Sequence, residues 1–214
     1  LPAHSGPADK HSAIIEAAAE VFLDNGYLGA SMDDIANRAG VAKQTVYSHF
    51  SSKKALFVAM ASALSNDASD RAHNEVPEYV DGDVERYLTE YAIRQLNIVL
   101  VPRILRLRRL VIGEVTRFPE IGAALYSGGP GLAIDSLAAT IKRLTALGAL
   151  SIVDATLAAT QFNWLVMSAP LNRAMLLGDE SIPDASALRT HASESVRMFL
   201  AAYGAKRDAT SAVR

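Results

Sequence analysis

Residues 31 to 50, Ser31-Met32-Asp33-Asp34-Ile35-Ala36-Asn37-Arg38-Ala39-Gly40-Val41-Ala42-Lys43-Gln44-Thr45-Val46-Tyr47-Ser48-His49-Phe50, read as two short helices joined by a glycine turn. Ser31 can cap the first helix, and Asp34 three residues on can reach back to the Ser31 backbone N–H, the Ser-x-x-Asp form of a capping box. Ile35, Ala36 and Ala39 share one face. Gly40 then supplies the positive φ that ends the helix. Val41 is expected to plug the turn, and Lys43 to Phe50 make about two more turns. Val46 and Phe50, at i and i+4, point back toward Ile35 and Ala39. Lys43, Gln44, Thr45, Tyr47 and His49 are left facing outward.

Those outward residues have the chemistry to meet DNA. A second helix laid in the major groove presents its N-terminal side chains to base edges, where Lys reaches guanine O6 or N7 and Gln pairs with adenine N6 and N7. Thr45, Tyr47 and His49 suit phosphate oxygens, because hydroxyl and imidazole groups position a protein without reading sequence. Helix pairs with a glycine turn are also common in all-helical proteins. The pattern alone leaves DNA binding and plain scaffolding both open.

Ser51-Ser52-Lys53-Lys54-Ala55-Leu56-Phe57 follows, a serine-capped helix start with two lysines in its first turn. Cations there oppose the helix dipole by roughly 0.3–1 kcal/mol each. A phosphate at the helix N-terminus is one compensating anion. The plainer alternative is two solvated surface lysines.

Residues 13 to 60 resemble the N-terminal domain of TetR-type transcriptional repressors. The resemblance runs through Ala13-Ile14-Ile15-Glu16-Ala17-Ala18-Ala19-Glu20-Val21-Phe22, Asn25-Gly26-Tyr27, the glycine-jointed helix pair, and Thr45-Val46-Tyr47-Ser48-His49-Phe50-Ser51-Ser52-Lys53. It implies Lys43, Gln44 and Tyr47 in the major groove, with Ser31, Thr45, His49 and Lys53 near phosphates. Lys54 departs from the acidic residue that many members carry there, so its place at phosphate rests on the dipole argument alone. The resemblance also implies a homodimer on a palindromic double-stranded DNA operator, with recognition helices about 34–36 Å apart.

The 214 residues suffice for a small domain joined to a larger one, and half are hydrophobic against 21% charged, which excludes global disorder. Cysteine is absent, excluding disulfides, thiolate metal sites and cysteine nucleophiles. That is compatible with a cytoplasmic protein, associated with the nucleoid when on DNA. The net charge of −2 gives no global nucleic-acid signature. Residues 1 to 54 hold Lys10, Arg38, Lys43, Lys53 and Lys54 against Asp9, Glu16, Glu20, Asp24, Asp33 and Asp34. Four of those five cations fall within 38 to 54, so the basic footprint is local. Residues 1 to 11 lack the apolar core of a secretory signal, and no membrane span is expected.

The expected architecture is all-α: a three-helix DNA-binding domain with a helix-turn-helix, a connecting helix, and a larger helical ligand-binding and dimerisation domain. The divisions fall at 1–9 (flexible arm, with His4), 10–54, 55–204 and 205–214 (polar tail). A helix over 10–25 buries Ile14, Ile15, Ala18, Val21 and Phe22 and ends at Asn25-Gly26. A connecting helix spans 53–73, a break spans 74–82, and further helices are predicted at 83–101, 103–116, 119–127, 130–147, 154–177 and 184–203. Gly128-Gly129-Pro130-Gly131 reads as a hinge and fails as a phosphate loop, since no Gly-Lys-Ser/Thr follows. Arg109-Leu110-Val111-Ile112-Gly113-Glu114 with Phe118-Pro119-Glu120 weakly resembles the C-terminal domain of the AefR-like subgroup. Arg103, Arg106, Arg108 and Arg109 lie on several faces, which favours ion pairs with Glu114 and other acids over a second DNA surface.

Residues 155 to 172 carry no charge, so both faces of that helix are expected to be buried, one by its own core and one by a second subunit. Leu188, Ala192, Val196, Phe199 and Tyr203 form a stripe on the last helix, and the two helices together predict a four-helix dimer interface. A small, mostly apolar effector is expected in the large domain, with Leu107, Val111, Tyr126, Phe162, Asn163, Trp164 and Met167 as pocket residues. No cofactor, metal site or catalytic residue is expected. The five histidines are scattered and no His-Glu-x-x-His or Gly-x-Ser-x-Gly occurs; Asp81-Gly82-Asp83-x-Glu85 has Arg86 where a calcium loop needs glycine. The sequence thus predicts a ligand-responsive repressor. The alternatives are a helical protein-interaction adaptor with a non-functional helix-turn-helix and, remotely, an enzyme.

Overall fold

The computed structural model describes residues 7–74, 79 and 82–205, with the side chains of 7, 8 and 68–78 left aside. It is all-α. The helices are α1 (Pro7–Gly29), α2 (Met32–Ala39), α3 (Lys43–His49), α4 (Lys53–Asn74), α5 (Val84–Val99), α6 (Pro102–Glu114), α7 (Pro119–Tyr126), α8 (Leu132–Ala146), α9 (Ala155–Leu177) and α10 (Ala185–Tyr203). The predicted helices match these within two residues at most boundaries.

Where they differ, the reasons are local. Pro7, expected in a flexible arm, opens α1, because its fixed φ suits a first helical turn. Residues 1–6 of that arm and most of the polar tail lie outside the described residues, as does most of the 74–82 break. Gly26 takes φ 70°, ψ 173° and breaks α1 where Asn25-Gly26 predicts an end, and one further turn runs on to Gly29. Residues 128–131, expected as a hinge, lie within a π-turn over Ser127–Gly131 that has Pro130 inside it. Two small features have no clear sequence signal: a 3-10 turn at Asp179–Ser181 and an isolated bridge between Leu150 and Gly204.

By its internal contacts the chain divides into two units, one of Leu1–Ala68 with Pro102–Gly129 and one of Ser69–Val101 with Pro130–Arg214. This differs from a division after residue 54, since α6 and α7 belong with the first unit. The core of that unit gathers Phe22, Tyr27 and Phe57 with Phe118 from the α6–α7 junction, the Tyr27 and Phe118 rings being 4.5 Å apart. Such side chains contribute about 1.5–3 kcal/mol each on burial. Two ion pairs fasten α6 to α1, Arg103 to Glu16 at 2.6 Å and Arg106 to Asp24 at 3.7 Å. These partners, not Glu114, account for two of the clustered arginines.

The second unit packs α10 on α5 and α9, and α8 on α9. Asp83, Asp154 and Asp184 each cap a helix there, accepting the N–H three residues on at 2.8–2.9 Å. Its core includes Leu88, Leu96, Ile141, Phe162 and Val166. Leu188, Ala192, Val196 and Phe199 also lie in that core, with Phe199 edge-on to Phe162 at 5.0 Å. Four of the five stripe residues are thus covered by their own chain, and the fifth, Tyr203, is half-buried, packing on Phe199 and donating to Gln161.

Candidate nucleic-acid interface

The site is built from the α2–α3 turn. Ser31 Oγ accepts the Asp34 N–H at 3.1 Å and donates to Asp34 Oδ2 at 2.6 Å. Asp34 thus binds the cap hydroxyl, not the Ser31 backbone N–H that a full capping box uses. Gly40 sits at φ 66°, ψ 29°, with Gly40 N–H on Asn37 O and Val41 N–H on Ala36 O. That pair of bonds is a Schellman turn, and it fixes where α3 starts. Val41 is half-buried against the core, less sealed than a plug. Val46 is fully buried and Phe50 nearly so, which anchors the inner face of α3.

Lys43, Gln44 and Tyr47 face solvent, Tyr47 with 43% of its surface exposed. Thr45 and His49 are half-buried. His49 leans toward His11 of α1, with ring centroids 5.9 Å apart, which ties the end of α3 to the predicted first helix. Lys43 also has a partner that sequence spacing did not reveal: its Nζ lies 2.8 Å from Asp33 Oδ1 and 3.0 Å from Oδ2. The Asp33 carboxylate raises the Lys43 pKa through that hydrogen bond and its charge. An acid in the first turn of α2 was visible in the sequence, but it reads as a dipole partner for its own helix.

The two lysines of α4 find internal compensation. Lys53 Nζ donates to Ala30 O at 2.6 Å and Leu28 O at 3.4 Å, and it lies 4.7 Å from the centre of the Tyr27 ring. Burial and the nearby Arg117 push its pKa down. Lys54 pairs with Glu120 at 2.6 Å. An external phosphate is therefore not needed to explain either cation, because carbonyls, a ring face and a carboxylate already oppose the α4 dipole.

The seven expected pocket residues divide between the two units. Leu107 and Val111 are buried in the core of the first unit. Phe162, Asn163 and Met167 are buried in the second, while Tyr126 and Trp164 are turned to solvent with 56% and 46% of their surface exposed. Trp164 belongs to the outer face of α9, next to Gln161 and Ser168 in helical register, and the inner face of that helix carries Phe162, Val166 and Met167. Among the described residues, no group of three or more His, Cys, Asp or Glu could hold a metal, and no helix is long and apolar enough to cross a membrane.

Comparison with known proteins agrees with this geometry. Residues 14–60 match the family described as bacterial regulatory proteins, tetR family, and residues 54–205 match the AefR-like transcriptional repressor, C-terminal domain. A TetR-family transcriptional regulator from Mesorhizobium loti is 34% identical with a TM-score of 0.85, over 94% of this chain and all of that one. The flavonoid-responsive regulator FrrA is 29% identical with a TM-score of 0.77 over the same shares. The HTH-type transcriptional activator FasR of Mycolicibacterium smegmatis is 50% identical over 52 residues, 24% of each chain. IcaR of Staphylococcus aureus, a negative regulator of the biofilm operon icaADBC, is 29% identical over 92 residues, 36% of this chain and 50% of its own length. The chain thus spans a quarter to a half of the length of these two curated relatives. Fold, helix-turn-helix and family matches together make this chain a non-enzymatic, DNA-binding member of the TetR family of transcriptional regulators, with an AefR-like C-terminal domain.

Proposed function

We propose that the protein is a homodimeric repressor that holds a palindromic operator through two copies of the α2–α3 face and releases it when a small, mostly apolar effector binds its C-terminal part. The observation that carries the DNA contact is the sidedness of α3. Val46 and Phe50 lock its inner face into the core, while Lys43, Gln44 and Tyr47 stand clear of it at the end that reads base edges. Ser31, Thr45 and His49 border that face and would take phosphates; Lys53 and Lys54 would contribute there only by giving up internal partners. Repression is supported by the match of residues 54–205 to a repressor subgroup.

The outer face of α9 supports the dimer. It runs without charge through Leu157, Gln161, Trp164 and Ser168, and a second copy covering it would explain why residues 155–172 carry none. An effector that binds the DNA-free arrangement more tightly must, by linkage, be weakened to the same extent by DNA.

Fluorescence anisotropy of a labelled duplex from upstream of the protein's own gene, against a scrambled duplex across a salt series, tests the reading. Salt-dependent binding to the native duplex alone, weakened about tenfold or more by Tyr47→Ala and by Lys43→Ala, is the expected result. Equal, weak binding to both duplexes at every salt would put the adaptor reading first.

A further inference from the structure

The inner face of α5 is unlike the rest of the second unit's core. Tyr87, Tyr91, Arg94 and Gln95 occur at i, i+4, i+7 and i+8, one face of a helix. Tyr87, Tyr91 and Gln95 are buried and Arg94 is half-buried. Gln95 Nε2 donates to the Tyr91 hydroxyl at 3.2 Å, and the Tyr91 ring lies 6.2 Å from that of Phe162 on α9. A purely structural face would carry side chains like Leu188, Val196 and Phe199 of α10, which need no polar partners.

Two atoms of this row are enclosed and unpartnered, the Tyr87 hydroxyl and Arg94 Nη1. Buried polar groups in folded proteins nearly always have a hydrogen-bond partner, and a guanidinium is best matched by a carboxylate or phosphate. Glu90, one turn before Arg94, pairs with Arg189 of α10 instead. Burial pushes the Tyr91 pKa up to about 12, against the lowering pull of Gln95 and Arg94, so its hydroxyl stays neutral.

We propose that this row is the headgroup end of the effector site and that it takes a monocarboxylate: Arg94 faces the carboxylate oxygens, the Tyr87 hydroxyl donates to one of them, and the Tyr91 and Phe162 rings flank the apolar remainder. This rests on the effector reading above and narrows it to an anionic, apolar-bodied molecule.

The test uses matched probes that differ only in charge, benzoate and benzamide, 2-naphthoate and 2-naphthamide, octanoate and octanamide, titrated calorimetrically into the full-length protein. At least one acid binds about tenfold or more tightly than its amide. Arg94→Gln removes that preference, Arg94→Lys keeps part of it, and Tyr87→Phe weakens the acid while sparing the amide. Each variant's helicity and thermal midpoint are checked, and Tyr87→Phe carries the test if Arg94→Gln does not fold. The proposal is overturned if no acid binds, if acids and amides bind alike, or if Arg94→Gln keeps the preference. The same probes added to the protein–duplex complex separate the two readings. An acid that binds through Arg94 without releasing DNA removes the effector role and leaves the site standing. Release of DNA equally by an acid and its amide leaves the effector role and removes the site.

Discussion

Asp33, in the first turn of α2, grips Lys43 at the start of α3 with both carboxylate oxygens, at 2.8 and 3.0 Å. The pair is exposed, so it adds little to stability, but it places an acid on the face that would approach phosphates. It also restricts the rotamers from which Lys43 can reach out. Non-specific contact feels mainly the charge, whereas base readout gains from a lysine already aimed.

Asp33→Asn is therefore expected to tighten binding to a scrambled duplex several-fold while improving the specific duplex less, so that the ratio between them falls by about threefold. Anisotropy titrations of both duplexes at two salt concentrations measure this. A larger ratio in the variant would mean that Asp33 hinders base readout.

The outer face of α9 makes the second prediction. Leu157 is half exposed and Trp164 nearly so, although both sit in a stretch without a charge from 155 to 172. Trp164→Glu is expected to convert a dimer to a monomer by light scattering at micromolar protein, and to weaken operator binding because two half-sites are no longer read together. Trp164 is the only tryptophan, so dilution of the wild type should shift its emission to the red as the dimer parts. A variant that stays dimeric would move the interface elsewhere.

Helix placement was legible because caps and breakers here are local: Asp83, Asp154 and Asp184 open helices, and Gly40 closes one, through contacts spanning a few residues. Three of the five residues expected outward, 43, 44 and 47, were legible for the same reason, since Val46 and Phe50 fix which side of α3 is inside; Thr45 and His49, on the flanks of that face, are half-buried. What the sequence hid was which surface covers which helix. The α10 stripe looks the same to a periodicity argument whether α5 and α9 bury it or a second subunit does. Trp164 likewise reads as a pocket residue until its one-residue offset from Asn163 is seen to turn it outward. The partners of Lys43, Lys53 and Lys54 lie 10 to 66 positions away along the chain, beyond any local pattern.

Pro170 stands inside α9 and has no N–H, so the Val166 carbonyl lacks its helical donor. His191 of α10 supplies one: its Nε2 lies 2.8 Å from Val166 O, and a carbonyl can only accept. His191→Phe should lower stability by about 1–3 kcal/mol in urea unfolding, because it strands that oxygen. In a Pro170→Ala background the helix can make its own bond, and the same change should cost less, with a coupling of about 0.5 kcal/mol or more. Strictly additive losses would show that the imidazole is not replacing the missing donor.

Tyr91 gives the chain an alkaline limit. Its folded pKa is raised to about 12 from a usual value of 10.0, mainly by burial, which disfavours the phenolate. The sign follows from where the proton leaves first. The unfolded chain ionises this tyrosine from pH 10 upward while the folded chain holds its proton, so the stability present below pH 10 is lost progressively as pH rises toward about 12. Tyr91→Phe removes that proton from both states. Denaturant midpoints followed from about pH 9 to pH 11 should fall more steeply for the wild type than for the variant. Parallel curves would mean that the Tyr91 hydroxyl ionises in the folded protein as readily as in the unfolded one, and that the α5 face is open to water.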